Sequence, residues 1–306
     1  MFYWKKLGNI FCPENNYTWM FSHAANPFPV FIDENILKIY FTSRDKNNRS
    51  YIASVDIDFN NGFKVIEISK KPVIEPGAPG YFDDSGAAMG FYLEHEGRKY
   101  IYYLGWNLKV TVPWQNSIGL AIAEPGSDEF IKYSQAPIMD RSNEDPFSIS
   151  YPSILKENQK FRMWYGSNLS WGFDESKMNH VVKYSESEDG IHWKRTNQVC
   201  INLKYPYEYA ISKPYVLKIN DIYCMWYSFR GNMNISTYRI GYAESKDGIS
   251  WERKDELAGI NLSEKGWDSE MLCYPTVFLH KDKYYMLYNG NGYGKTGFGL
   301  AVEIMN

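Results

Sequence analysis

One segment of this chain recurs five times at a nearly constant interval, and that regularity constrains the fold more than any other feature. Each copy is an apolar run, a polar turn and an aromatic-rich strand: FIDENILKIYF, LEHEGRKYIYY, LKENQKFRMWY, LKINDIYCMWY and LHKDKYYMLY. The copies end at Phe41, Tyr103, Tyr165, Tyr227 and Tyr288, at intervals of 62, 62, 62 and 61 residues. A fixed period of this kind marks a repeat architecture. Turn residues such as Asp33-Glu34-Asn35, Glu96-Gly97 and Asn220-Asp221 split each copy into a two-stranded hairpin. A third strand follows, as in SYIASVD and RIGYAES, and in most copies a fourth, clearest at GIHWKR (Trp193) and GISWER (Trp251). The turns before these, Ser187-Glu188-Asp189-Gly190 and Ser245-Lys246-Asp247-Gly248, have the Asp-Gly chemistry of hairpin turns on an outer rim. The prediction is an all-β, five-bladed β-propeller with four antiparallel strands per blade, forming one domain over residues 1–306. The fifth copy stops after its third strand, and Trp4-Lys5-Lys6 repeats the pattern of Trp193-Lys194-Arg195. The N-terminal strand is therefore expected to close the last blade as its outermost strand, removing an open edge.

Composition narrows the function. The chain has 26 Tyr, 17 Phe and 10 Trp, which suits pleated strands and also sugar faces. A net charge of −3 offers no basic field for nucleic acid. No apolar run approaches the ~20 residues of a membrane span, and the N-terminus lacks a secretory apolar segment. Cys12, Cys200, Cys224 and Cys273 are scattered without CxxC spacing, which reads as isolated thiols of a cytoplasmic protein, with no metal site and no disulfide framework. No cofactor motif is present: Asn289-Gly290-Asn291-Gly292 lacks the strand–loop–helix context of a phosphate loop.

A propeller geometry selects the candidate site without an alignment. The starts of the innermost strands and the loops between second and third strands share one face of the disc. That face gathers the carboxylates Asp84, Glu208, Asp268 and Glu270, the cations Arg44, Lys213 and Arg230, His23 and His180, Tyr274, and the aromatics Trp106, Trp114 and Trp171. Carboxylates, forked cations and flat rings around a concavity suit a polar, hydroxylated ligand. Asp84, Glu208 and Glu270 are the candidate catalytic acids and bases; His23, Arg44, Trp106, Trp171, Lys213, Arg230, Asp268 and Tyr274 are candidate substrate contacts. Each has a structural alternative. Asp83-Asp84-Ser85-Gly86 also fits a plain turn, Glu208 and Glu270 also fit rim ion pairs with Lys213 or Arg230, and His23 also fits a core histidine.

The segments FDDSG (82–86), YYLGWN (102–107), NSIGLA (116–121), EYAISKP (208–214), RIGYAES (239–245), WDSEM (267–271) and YNGNGYGKTGFGLA (288–301) resemble the five-bladed glycoside hydrolase superfamily of arabinanases, invertases, levansucrases and mannosyl-phosphorylases. Within it the chain is similar to a bacterial branch related to the N-terminal propeller of plant glucosamine inositolphosphorylceramide transferases, whose members accompany polysaccharide biosynthesis proteins. The resemblance implies an enzyme acting at a glycosidic or glycosyl-phosphate bond of a carbohydrate or sugar phosphate. Two family carboxylates are absent from their places: the first blade reads Ala25-Asn26-Pro27 and the third Ser150-Tyr151-Pro152. Three readings therefore stay open: hydrolysis, transfer or phosphorolysis on a sugar phosphate or nucleotide sugar, and carbohydrate binding without turnover.

Overall fold

The computed structural model describes residues 2–171, 178–231 and 236–304. After β1 (Trp4–Phe11), strands β2 (Ser22–Phe31), β3 (Ile36–Arg44), β4 (Ser50–Asp58) and β5 (Lys64–Ile68) pair in order as an antiparallel meander. The same path recurs in β6 (Gly86–His95), β7 (Arg98–Leu108), β8 (Trp114–Ala123) and β9 (Ile131–Lys132). It recurs again in β10 (Ile149–Glu157), β11 (Lys160–Ser170), β12 (Asn179–Ser187) and β13 (Lys194–Ile201). The fourth unit is β14 (Ala210–Ile219), β15 (Ile222–Arg230), β16 (Arg239–Ser245) and β17 (Glu252–Arg253). The last has β18 (Cys273–His280), β19 (Lys283–Asn289) and β20 (Phe298–Glu303), and β1 completes it, with Trp4 opposite Glu303 and Phe11 opposite Phe298. The expected pairing of the N-terminal strand is thus present.

The first strands of these units touch in sequence: β2 meets β6, β6 meets β10, β10 meets β14, β14 meets β18, and β18 meets β2. Each hairpin buries its aromatic strand. Tyr102, Tyr103, Trp164, Tyr165, Trp226, Tyr227 and Tyr288 are fully enclosed. The Asp-Gly rim turns also fasten neighbouring units. Asp189 accepts the amides of Ile191 and His192, both at 2.8 Å, and the freed Gly190 carbonyl receives the Tyr102 hydroxyl at 2.9 Å. Trp164 Nε1 donates likewise to the Gly248 carbonyl at 2.7 Å. All four cysteines are free thiols. Among the described residues no helix is long and apolar enough to cross a membrane.

One irregularity recurs in every first strand. Pairing with the second strand slips between Ala25 and Phe28, Met89 and Phe91, Ser150 and Ser153, Ser212 and Tyr215, and Cys273 and Thr276. Four of these bulges hold Asn26-Pro27, Tyr151-Pro152, Lys213-Pro214 and Tyr274-Pro275, with the first residue left-handed at φ 54°, 35°, 52° and 56°. A bulge bends a strand and re-aims a side chain, and a non-glycine left-handed residue costs roughly 1–3 kcal/mol. Repeating that cost at one level of the inner wall places these side chains where the strands converge.

Candidate functional site

The inner strands surround a cavity of about 410 Å³, within the ~300–1,000 Å³ range of small-molecule sites. Its wall follows the repeat. Asn26, Ala88, Ser150, Ser212 and Tyr274, each 62 residues after the last, all line it. So do Arg44, Trp106, Asn168 and Arg230, which share a second position of the same period near the ends of β3, β7, β11 and β15. The bulges thus set the floor, and the strand ends set the upper wall. Among the described residues the lining holds two guanidinium groups, one imidazole and no carboxylate.

Arg230 is held by tyrosines. Its guanidinium carbon lies 4.7 Å from the Tyr238 ring centre and 5.1 Å from that of Tyr209, and Nη1 donates to the Tyr293 hydroxyl at 2.6 Å. His180 starts the third strand of its unit and lines the same cavity, almost fully buried. Burial, and then the nearby Arg230 charge, push its pKa down to about 3, so the imidazole is neutral at physiological pH. Arg44 lies at the matching place in the first unit, with no ion-pair partner among the described residues. Trp106 and Trp114 add flat apolar faces, and Trp171 packs edge-on against Trp114 at 5.3 Å.

The structure therefore brings Arg44, Trp106, Arg230 and Tyr274 of the expected contacts into one cavity, with Trp171 behind Trp114. The expected carboxylates stand elsewhere. Glu208 is buried in a two-pronged ion pair with Arg253, at 2.7 and 2.9 Å, and also accepts the Lys204 amide at 2.6 Å. Asp268 pairs with Lys6 at 2.6 Å and accepts the Tyr288 hydroxyl at 3.0 Å. Asp83 with Lys132 and Tyr103, and Asp145 with Arg195 and Tyr165, repeat the arrangement. In four units, an acid before the first strand thus ties down a cation on the outermost strand. These carboxylates clasp each unit shut rather than face the cavity. The first unit has Phe41 in the tyrosine position.

Asp84 sits in its turn, accepting Gly80 N at 2.9 Å, Ser85 Oγ at 3.0 Å and Asn107 Nδ2 at 2.7 Å. Burial works to raise its pKa, but these donors outweigh it and hold the carboxyl below its usual value. Glu270 is exposed, its amide donating to Asn291 Oδ1 at 2.8 Å. Neither lines the cavity. His23 accepts or donates to Ser22 Oγ at 2.9 Å, and burial followed by Arg44 and Lys295 push its pKa down to about 4. Lys213 is fully enclosed rather than paired with Glu208 on a rim. Residues 172–177 and 232–235 lie outside the described residues. Among the described residues no cluster of His, Cys, Asp and Glu could hold a metal ion. The lining residues to which sequence reasoning gave no role, such as Asn26, Ser150 and Ser212, carry one legible signal: they fall on a 62-residue period, at or next to the X-Pro pairs.

No family model matches the chain. It is 44% identical over 299 residues to the uncharacterized protein Rv1502 of Mycobacterium tuberculosis, covering 98% of each chain. A shorter match, 33% identical over 139 residues, covers 42% of this chain and 44% of the 1,2-β-oligomannan phosphorylase of Thermoanaerobacter sp.. The fold is similar to that of a solved structure described with the GH130 family of mannoside phosphorylases and its glycoside hydrolases that target β-1,2 mannosidic linkages in Candida mannan. The TM-score is 0.70 at 13% identity, over 99% of this chain and 93% of the other.

Proposed function

This chain belongs to the family of the mycobacterial protein Rv1502, and for it we propose a five-bladed propeller whose central cavity binds a phosphorylated sugar and acts at its glycosyl-phosphate bond. The cyclic contact of the five first strands, and the N-terminal strand completing the last unit, support closure of one ring over residues 1–306. The observation that carries the function is the pair Arg44 and Arg230 in a lining that has no carboxylate among the described residues. Ordinary glycoside hydrolysis needs two carboxyl groups about 5–5.5 Å or about 6.5–9.5 Å apart across the bond. Here Asp84, Glu208 and Glu270 are committed to a turn, an ion pair and the exposed surface.

A phosphate changes that requirement, because the substrate itself supplies the anion. An oxygen of hydrogen phosphate bonds to the anomeric carbon as the glycosidic C–O bond breaks, and the proton that phosphate carried passes to the departing sugar oxygen; in reverse, phosphate is the leaving group and takes up the proton of the attacking hydroxyl. Guanidinium forks match phosphate oxygens and stabilise the charge that shifts onto them. Asn26, Thr42 and Ser150 offer hydrogen bonds to sugar hydroxyls, while Trp106 and Trp114 offer faces for the ring. The matching stretch of the oligomannan phosphorylase supports the same chemistry.

The test is a thermal-shift and calorimetric series with inorganic phosphate, hexose 1-phosphates, nucleotide sugars and neutral hexoses. Phosphate-bearing ligands should raise Tm. Arg44→Ala and Arg230→Ala should each lower their affinity about ten- to a hundredfold, the worth of a charged hydrogen bond. Phosphorus NMR with a glycosyl acceptor then reads turnover; binding without turnover makes the chain a sugar-phosphate binding module. Neutral hexoses binding as well as phosphorylated ones would refute the anionic site.

A further inference from the structure

Lys213 has no exposed surface. Its ammonium donates to the Gly90 carbonyl at 3.1 Å, and no carboxylate among the described residues pairs with it. A buried cation without a counter-charge is among the most costly arrangements of a side chain, and an apolar residue of the same length would avoid the cost. Its place in the fold suggests where the counter-charge comes from.

Lys213 occupies the bulge of β14, and the matching bulge residues Asn26, Tyr151 and Tyr274 all line the cavity. Ser212, its neighbour, lines it too, as does Ala88, two residues before Gly90 on β6. The side chain therefore runs from the fourth unit to the second, with cavity residues at each end. The Tyr151 and Tyr274 rings meet at 5.7 Å in the same layer. The ionisable groups nearby are Arg44 on β3, Tyr151 on β10, His180 on β12, Tyr215 on β14 itself, Arg230 on β15, Tyr238 just before β16, and Cys273 and Tyr274 on β18. Of the other elements in contact, β6 presents the Gly90 carbonyl, β2 presents Asn26 and Phe28, and the inner end of β11 presents Asn168. Burial pushes the tyrosines and the thiol up and the imidazole down, so none of these is negative at neutral pH. Desolvation alone lowers the Lys213 amine to about 7.

We propose that Lys213, enclosed at the bulge of β14 with the Gly90 carbonyl on its ammonium, is the floor counter-charge of the anion site and takes up one proton from solvent when an anion settles in the cavity. This rests on the anionic reading given above. No bond to carbon or phosphorus changes; one proton leaves the solvent and one N–H bond forms for each anion bound. Above neutral pH the affinity then falls by up to tenfold per pH unit, because each binding event must draw its proton from a scarcer supply.

The experiment is titration calorimetry of the intact chain with inorganic phosphate, in two buffers of different ionisation enthalpy, at pH 6 and pH 8.5. Phosphate is already dianionic at the higher pH. Wild type should take up close to one proton per phosphate at pH 8.5. Lys213→Met, which keeps the shape and removes the charge, should take up none. At pH 6, where Lys213 is already protonated, the difference between the two proteins should vanish. Should the variant fail to fold, the wild-type proton count at pH 8.5 decides alone. Phosphate bound with no proton uptake at pH 8.5 overturns the role of Lys213 and leaves the anion site standing. Phosphate that does not bind wild type at all overturns both.

Discussion

Replacing Glu208 by Gln separates a structural carboxylate from a catalytic one. The side chain has no exposed surface and its partner Arg253 is 8% exposed. The pair is joined by two hydrogen bonds, and Arg253 also holds Asp255 at 2.8 Å. Removing one partner of a buried pair costs about 3–5 kcal/mol, because a buried charge is left behind. Gln keeps the shape and one acceptor for the Lys204 amide, and Asp255 still faces Arg253, so the lower end, about 3 kcal/mol, applies. For a chain of 306 residues about 1 kcal/mol moves Tm by about 1.5–2 °C, giving a fall of roughly 5 °C. Scanning calorimetry at several scan rates measures it, with Arg253→Met and the double variant completing a cycle that isolates the pair. Phosphate affinity at 20 °C, well below the transition, should stay within about twofold. A Glu208→Gln protein that melts like wild type yet loses ligand or turnover would return Glu208 to the site and refute the clasp.

Two further outcomes follow from the same geometry. Deleting residues 2–11 removes β1 and the Lys6–Asp268 contact and bares the edge of β20; the protein should aggregate on expression, and a soluble monomer with unchanged Tm would contradict the assignment. The folded protein keeps His180 neutral down to about 3, whereas the unfolded chain protonates it near 6.5. The unfolded state thus binds more protons between these values, so stability is complete above pH 6.5 and falls as pH drops, by roughly 5 kcal/mol in all. His23, held down to about 4, adds to the same window. Denaturant melts at pH 7, 5.5 and 4.5 should show a shallower fall in His180→Gln; parallel slopes would show that His180 does not carry it.

The architecture was legible because repetition is a property of spacing, and spacing survives in the sequence. Five aromatic strands at intervals of 62, 62, 62 and 61 residues announced the hairpins, and Trp4-Lys5-Lys6 announced the strand that completes the last unit. Site chemistry is a property of side-chain direction, which residue type does not encode. Glu208 and Asp268 stood at the right place in the chain, but their side chains turn outward to Arg253 and Lys6. The outer-strand cations Lys6, Lys132, Arg195 and Arg253 were the missing half of that pattern; read alone, Glu208 looked like a catalyst and Asp268 like a substrate contact. Arg44 and Arg230 were found because they stand where second strands lead into the loops toward third strands, a face that the repeat itself defines. His180 stood on the right face, yet its neutrality depends on burial beside Arg230, a distance only the folded chain supplies.

The pairing of β1 with β20 has a consequence for how the molecule is made. β1 leaves the ribosome long before its partner does, since Phe298–Glu303 is synthesised nearly 300 residues later. At about 5–20 residues per second, Trp4–Phe11 waits roughly 15–60 s with its edge unpaired. Lys5 and Lys6 lie on that waiting segment, and charge on a bare edge discourages it from joining a neighbour on the same messenger. A circular permutant that begins at β2 and carries β1 after β20 would shorten the wait to a few seconds, and its yield of native protein at high expression would measure what the natural order of synthesis costs.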